Sequence, residues 1–227
     1  MGVKFLPFGI GAPAGQAEAS SFSDDFIRAN NGDLGQNWLY KTVRLNINDA
    51  YIVGSINTNN LLFTHDGGDN LAVNPMILLP RSLVNSSLVY GLSQFVQVTF
   101  VAQAGGNNSG GPCVFNRWDA GPASFCQQNY HIRVNQANSA ILGFHLATGG
   151  ADLVTLAAGT IVAGDVLRLE VVPGAAGVNT LRSFINGVLL DTRTDSNITQ
   201  IGVPGMQGDD LQIPATQRWS AFSCGAI

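Results

Sequence analysis

The stretch FSDDFIRANNGDLGQNW, Phe22 to Trp38, places a turn between two apolar anchors. Asn30-Asn31-Gly32-Asp33 is a turn sequence, because Asn, Asp and Gly tolerate the backbone conformations that tight reversals demand. Phe26 and Leu34 flank it, Arg28 can reach a carboxylate such as Asp25, and Trp38 is large enough to fill one end of a sandwich. Large aromatics beside turns are packing residues first, so the segment is read as structural.

Outward from it, turn signals alternate with short β-rich runs, the pattern of an antiparallel sandwich and not of a parallel α/β sheet. The expected strands are Leu39–Ile47, Tyr51–Ser55, Leu71–Leu78, Phe95–Ala102, Val114–Trp118, Tyr130–Val134, Ala140–Leu146, Leu153–Leu156, Val166–Val172, Leu181–Ile185 and Val188–Thr192. No long amphipathic helix is expected. The clearest hairpin joins the last two strands across Asn186-Gly187, since a two-residue type I′ turn needs positive φ at both positions. In Asp165–Val172, alternation sends Leu167, Leu169 and Val171 to the core and Arg168 and Glu170 to the other face.

A second segment, FINGVLLDTRTDSNITQIGVPGM from Phe184 to Met206, completes the picture. The two segments together resemble the opening and closing signatures of laminin-G-like, concanavalin-type jelly rolls found in phage virion proteins and in bacterial surface or glycan-binding proteins. Asp25, Phe26, Arg28, Leu34, Gly35, Asn37 and Trp38 carry the likeness at one end. Asn186, Gly187, Asp195, Ile198, Gly202, Pro204, Gly205 and Met206 carry it at the other, as a hairpin followed by a loop. The resemblance implies an all-β, antiparallel jelly-roll β-sandwich of concanavalin type over residues 22–227, behind an extended N-terminal arm at 1–21. It selects no function, because this architecture hosts enzymes, lectins and inert spacers alike.

Composition agrees with a β-rich domain. Of 227 residues only 11% are charged, 45% are hydrophobic and 27 are glycine, and Asn, Gln, Ser and Thr supply the polar surface. A net charge of -4, two lysines (Lys4 and Lys41) and no Lys/Arg cluster leave no footprint for a nucleic-acid backbone. No run reaches the length of about 18 apolar residues that a membrane span requires, so a soluble protein is expected. The opening MGVKFLPFGIGAPAGQAEA offers Lys4 and Ala17-Glu18-Ala19 as leader features, but Pro7, Gly9, Gly11, Pro13 and Gly15 interrupt any apolar core, so no secretory leader is expected. Phe5, Leu6, Phe8 and Ile10 are apolar without a strand pattern of their own, and are expected to dock the arm on a neighbouring subunit.

Catalytic patterns are missing. Retaining glycoside hydrolysis needs two carboxyl groups about 5 Å apart, and the concanavalin-type glucanases cluster Glu and Asp on one strand. Here the two glutamates are Glu18 in the arm and Glu170 on a strand without acidic neighbours. Asp24-Asp25 and Asp209-Asp210 are adjacent pairs whose members point to opposite faces of an extended chain, and are read as solvated turn carboxylates. Gly106-Asn107-Asn108-Ser109-Gly110 has its serine in the wrong place for a nucleophile elbow, and no phosphate-binding loop occurs. The chain is expected not to be an enzyme and to need no cofactor.

Closing the Tyr130–Val134 to Ala140–Leu146 hairpin around Asn138 would make His131 and His145 cross-strand neighbours opposite the face of Ile132, Phe144 and Leu146. Zinc wants three or four protein ligands and no third partner is identifiable. The loop His65–Asn70 offers Asp66, Asp69 and Asn70 as hard oxygen donors for calcium, but without the twelve-residue calcium pattern a plain turn is the reading. Cys113, Cys126 and Cys224 lack zinc-site spacing. Cys113 and Cys126 flank a hairpin over Asp119–Pro122, leaving both a disulfide and buried free thiols open.

The resemblance implies a virion component, a bacteriophage capsid decoration or tail-associated protein docked through its arm on a major capsid or tail protein and assembled as a homo-oligomer. The alternative is a carbohydrate-binding or host-receptor-binding module. Tyr40, Tyr51, Tyr90, Tyr130 and Trp118 are then the aromatics available to a sugar, with Trp118 and Tyr130 the expected contacts.

Overall fold

The computed structural model describes residues 21–28, 34–42, 55–57, 60–62, 76–84, 92–102, 110–116, 128–135, 137–146, 149–199, 201–208 and 218–227. These form fifteen strands: β1 (Ser21–Asp24), β2 (Trp38–Thr42), β3 (Ser55–Asn57), β4 (Asn60–Leu62), β5 (Met76–Pro80), β6 (Gln94–Ala102), β7 (Gly111–Asn116), β8 (Asn129–Val134), β9 (Ala140–Leu146), β10 (Gly149–Ala157), β11 (Val166–Pro173), β12 (Asn179–Ile185), β13 (Val188–Asp195), β14 (Ile201–Gly208) and β15 (Arg218–Ala226). One four-residue helix, α1 (Arg81–Val84), follows β5. The docking residues Phe5, Leu6, Phe8 and Ile10, the calcium-loop residues Asp66, Asp69 and Asn70, and Glu18, Cys126, Trp118, Asp209 and Asp210 lie outside the described residues.

The strands make two antiparallel sheets packed face to face, a jelly-roll sandwich. The first runs β13-β12-β11-β6-β15-β4-β3 and the second β10-β9-β8-β7-β14-β5-β2. β15 pairs with β6 along one side, and on its other side holds β4 at Arg218 and Trp219 and β1 at Phe222–Gly225. Ser21, expected in the arm, is therefore the first residue of a strand.

Period-two alternation builds the core. Leu167, Leu169 and Val171 of β11 are fully buried beside Val96, Val98 and Phe100 of β6, and Ile132, Val134, Leu142 and Met206 belong to the same cluster from the second sheet. The Asn186-Gly187 hairpin forms as expected, with φ of 53° and 76°.

The opening segment is structural, but its hub is Asp24 and not Asp25. Residues 22 and 24 of β1 share the inward face, so Phe22 enters an aromatic cluster while Asp24 follows it, and Asp25 points to solvent. Asp24 Oδ1 and Oδ2 accept from Arg28 Nη1 and Nη2, both at 2.8 Å, Oδ2 accepts from Trp38 Nε1 at 2.7 Å, and Oδ1 accepts from the Phe26 amide at 2.8 Å. Those bonds hold Phe26 at a φ of 56°, a left-handed conformation a bulky side chain otherwise avoids. Trp38 packs edge-on against Phe22 at 5.1 Å and Phe222 at 5.0 Å between ring centroids, which seals this end of the sandwich.

The closing segment departs from expectation. Ile201–Gly208, read as a loop, is β14 in the interior of the second sheet, between β7 and β5. Pro204 cannot donate to a ladder, and the register against β7 shifts between Ile201 and Pro204 to accommodate it.

Candidate functional site

The site grows from β8. Its even-numbered residues face the core and its odd-numbered ones, Asn129, His131 and Arg133, face away from it. Across the strands the register places Gly205, Cys113, His131, Gly143 and Asp152 in one row over β14, β7, β8, β9 and β10. Glycine at position 143 lowers the floor of this row: a Cβ there would come within 2.9 Å of His131 Nε2 and of the Ala151 carbonyl. The result is a groove of about 400 Å³ lined by His131, Arg133, Phe144, His145, Asp152 and Gln207 together with the backbone at Gly150 and Ala151.

The two histidines share this face as the sequence suggests, but His131 pairs with Gly143 and His145 with Asn129, so they are diagonal neighbours. The hairpin turn sets this offset. Asn135 Oδ1 accepts from the amides of Ala137 and Ser139, both at 3.0 Å, and Asn138 takes a φ of 52°, so the turn centres on residue 137 and the register moves by two residues. Among the described residues no three His, Cys, Asp or Glu side chains come together to hold a metal.

His131 is buried, and Asn129 Oδ1 stands 2.9 Å from its Nδ1. With the Asn129 amide oriented this way its oxygen accepts, Nδ1 carries the hydrogen and Nε2 has its lone pair over Gly143. Burial first, then the electrostatics of Arg133 and His145, lower the pKa of this imidazole to about 3, with Asp152 pulling the other way. His131 is thus a neutral acceptor at physiological pH. Arg133 Nη2 bridges to Asp152 Oδ1 at 2.8 Å and Oδ2 at 2.9 Å across β9, so these two charges cancel. Two buried side-chain atoms of this face, Gln207 Oε1 and Asn129 Nδ2, have no hydrogen-bond partner within the protein.

Tyr130, expected as a sugar contact, has no exposed surface. It points from β8 into the core, donates its hydroxyl to Asp195 Oδ1 at 2.6 Å and accepts from the Ile198 amide at 3.2 Å. It ties the segment after β13 to the second sheet. Tyr130→Phe is expected to lower unfolding free energy by about 1–3 kcal/mol in urea titrations, because the buried Ile198 amide loses its acceptor. Cys113 is buried on β7, and its pairing with Cys126 falls outside the described residues. Glu170 lies on the first sheet, held by Arg168 Nε at 2.9 Å and Arg182 Nη1 at 3.6 Å, with the Arg168 guanidinium 4.0 Å from the centre of the Phe95 ring.

Arg133, Asp152 and Gln207 were not singled out in the sequence. The signal available for Arg133 is the alternation of polar residues 129, 131 and 133 along a strand whose other face is apolar.

No family model matches the chain, and no curated protein matches it. Solved structures do. A glycosidic hydrolase superposes with a TM-score of 0.58 at 9% identity, over 94% of this chain and 100% of that one. A protein of unknown function from Shewanella oneidensis MR-1 gives 0.55 at 10% identity, over 97% and 96% of the two chains. A non-specific endo-beta-1,3(4)-glucanase from family GH16 gives 0.54 at 10% identity, over 92% of each. Likeness at these identities concerns the fold, the concanavalin-like jelly-roll sandwich that the two signatures implied.

Proposed function

We propose that this protein is a carbohydrate-binding module whose binding surface is the groove across β8, β9, β10 and β14. One observation carries the reading. Gln207 is 6% exposed, lines the groove, and keeps its Oε1 without a partner, a cost of about 1–3 kcal/mol that a bound ligand hydroxyl removes. Around it stand the hydrogen-bonding groups of His131, Arg133, His145 and Asp152, polar anchors of the kind that fix the orientation of a sugar. The fold is also one that hosts a glucanase and a glycosidic hydrolase.

Binding is favoured over turnover because Asp152, the carboxylate among the described lining residues, is committed to Arg133. A two-carboxylate mechanism needs a second acid about 5 Å away, and Glu170 belongs to the other sheet. The virion role is implied by the resemblance of the opening and closing residues. Trp38, Arg28, Asp195 and Ile198 hold the sandwich together wherever it is mounted.

Glycan-array screening followed by calorimetry tests the proposal. Gln207→Ala is expected to weaken binding about tenfold while the thermal midpoint stays the same or rises, since the variant removes an unpaired buried carbonyl. Unchanged affinity in Gln207→Ala, or no glycan bound at all, would reject the groove as the site.

A further inference from the structure

We infer that the groove selects uncharged glycans and rejects uronate-bearing or sulfated ones, an inference that rests on the glycan-binding reading and names the ligand class of that site. The groups around the groove form a charge-balanced set that is rich in acceptors. Arg133 of β8 is the arginine among the lining residues, and its Nη2 is bridged to both oxygens of Asp152 on β10. An anionic ligand would compete with Asp152 for Arg133 and bring its own negative charge beside that carboxylate, a repulsion that solvent screens in part because Asp152 is half exposed.

The hydrogen-bonding state of the lining residues points the same way. Gln207 Oε1 on β14 is a buried carbonyl oxygen that still needs a donor. His131 Nε2 carries a lone pair, since Nδ1 is engaged with Asn129 Oδ1, and burial keeps the ring unprotonated down to about pH 3. A carboxylate or sulfate ester brings only acceptors and would set oxygen against oxygen at Gln207 and against nitrogen at His131. A sugar hydroxyl donates to either atom and accepts from a neighbouring N–H without a change in charge.

The experiment compares the full chain against a panel of neutral hexasaccharides of several linkages and a matching panel of hexauronates. Binding is measured by calorimetry near pH 8, above the ordinary histidine range, at low and high salt. The expected result is binding to at least one neutral oligosaccharide, with affinity changing by less than about twofold between the two salt conditions. Hexauronates are expected to bind at least about tenfold more weakly. Gln207→Glu keeps an acceptor at this position and is expected to retain neutral-glycan binding, whereas Gln207→Ala loses about tenfold. A hexauronate that binds more tightly than every neutral sugar, with affinity falling as salt rises and lost in Arg133→Gln, would overturn the ligand class and leave the glycan-binding reading standing. Absence of binding to both panels would overturn both.

Discussion

Asp24→Ala is expected to cost the sandwich about 3 kcal/mol of unfolding free energy, because it removes one acceptor from three donors at once. The Asp24 side chain is 8% exposed, and without it the Trp38 indole N–H loses its bond inside a sealed aromatic cluster. The Arg28 guanidinium is 37% exposed and recovers part of its hydration, which keeps the figure near the lower end for a broken buried pair. Asp25→Ala, losing an exposed bond to the Ile27 amide, is expected to change stability by less than about 1 kcal/mol. Urea titrations of the two variants therefore separate the hub from its neighbour, and equal losses would refute the assignment. The same carboxylate adds an acid limb. Burial by itself raises its pKa, but the hydrogen bonds from Arg28, Trp38 and the Phe26 amide outweigh burial and hold it below 3.8. Its contribution is present above the unfolded value and fades as pH falls through the lowered folded value.

The second large effect is the loss of stability between pH 6.5 and about 3 that His131 imposes. Its folded pKa lies below its unfolded one, so in this window the unfolded chain binds the extra proton and stability falls as pH falls. The slope approaches about 1.4 kcal/mol per pH unit, several kcal/mol across the window. His131→Gln keeps an N–H for Asn129 Oδ1 but cannot be protonated, so its stability is expected to stay nearly level where the parent protein declines. Unfolding free energies measured from neutral pH to about pH 4 decide the matter. Parallel curves for the two proteins would remove His131 from the account, and Asp24 does not confuse the comparison because it acts below 3.8.

The elements legible in advance were those with local causes. Asn186-Gly187 forms its turn because only positive φ closes a two-residue hairpin, and Leu167, Leu169 and Val171 are buried because side chains alternate along a strand. β14 was missed because Pro204 argues locally against a central strand, and only the register shift against β7 makes room for it. Asp24 and Asp25 are chemically identical in the string, and the choice between them belongs to which face of β1 meets Trp38.

The site divides along the same line. The sequence by itself determined the all-β class, the hairpins, the alternating core and the presence of two histidines on one face of neighbouring strands. What the tertiary structure decided is that Tyr130 is buried and not a sugar contact, that Arg133 and Asp152 meet across β9, and that Gln207 from β14 borders the same groove. Alternation along a strand is a property of a few consecutive residues. The juxtaposition of residues 131, 152 and 207 depends on strand order and on a turn that moved one register by two residues, and these are set by packing between parts of the chain far apart in sequence.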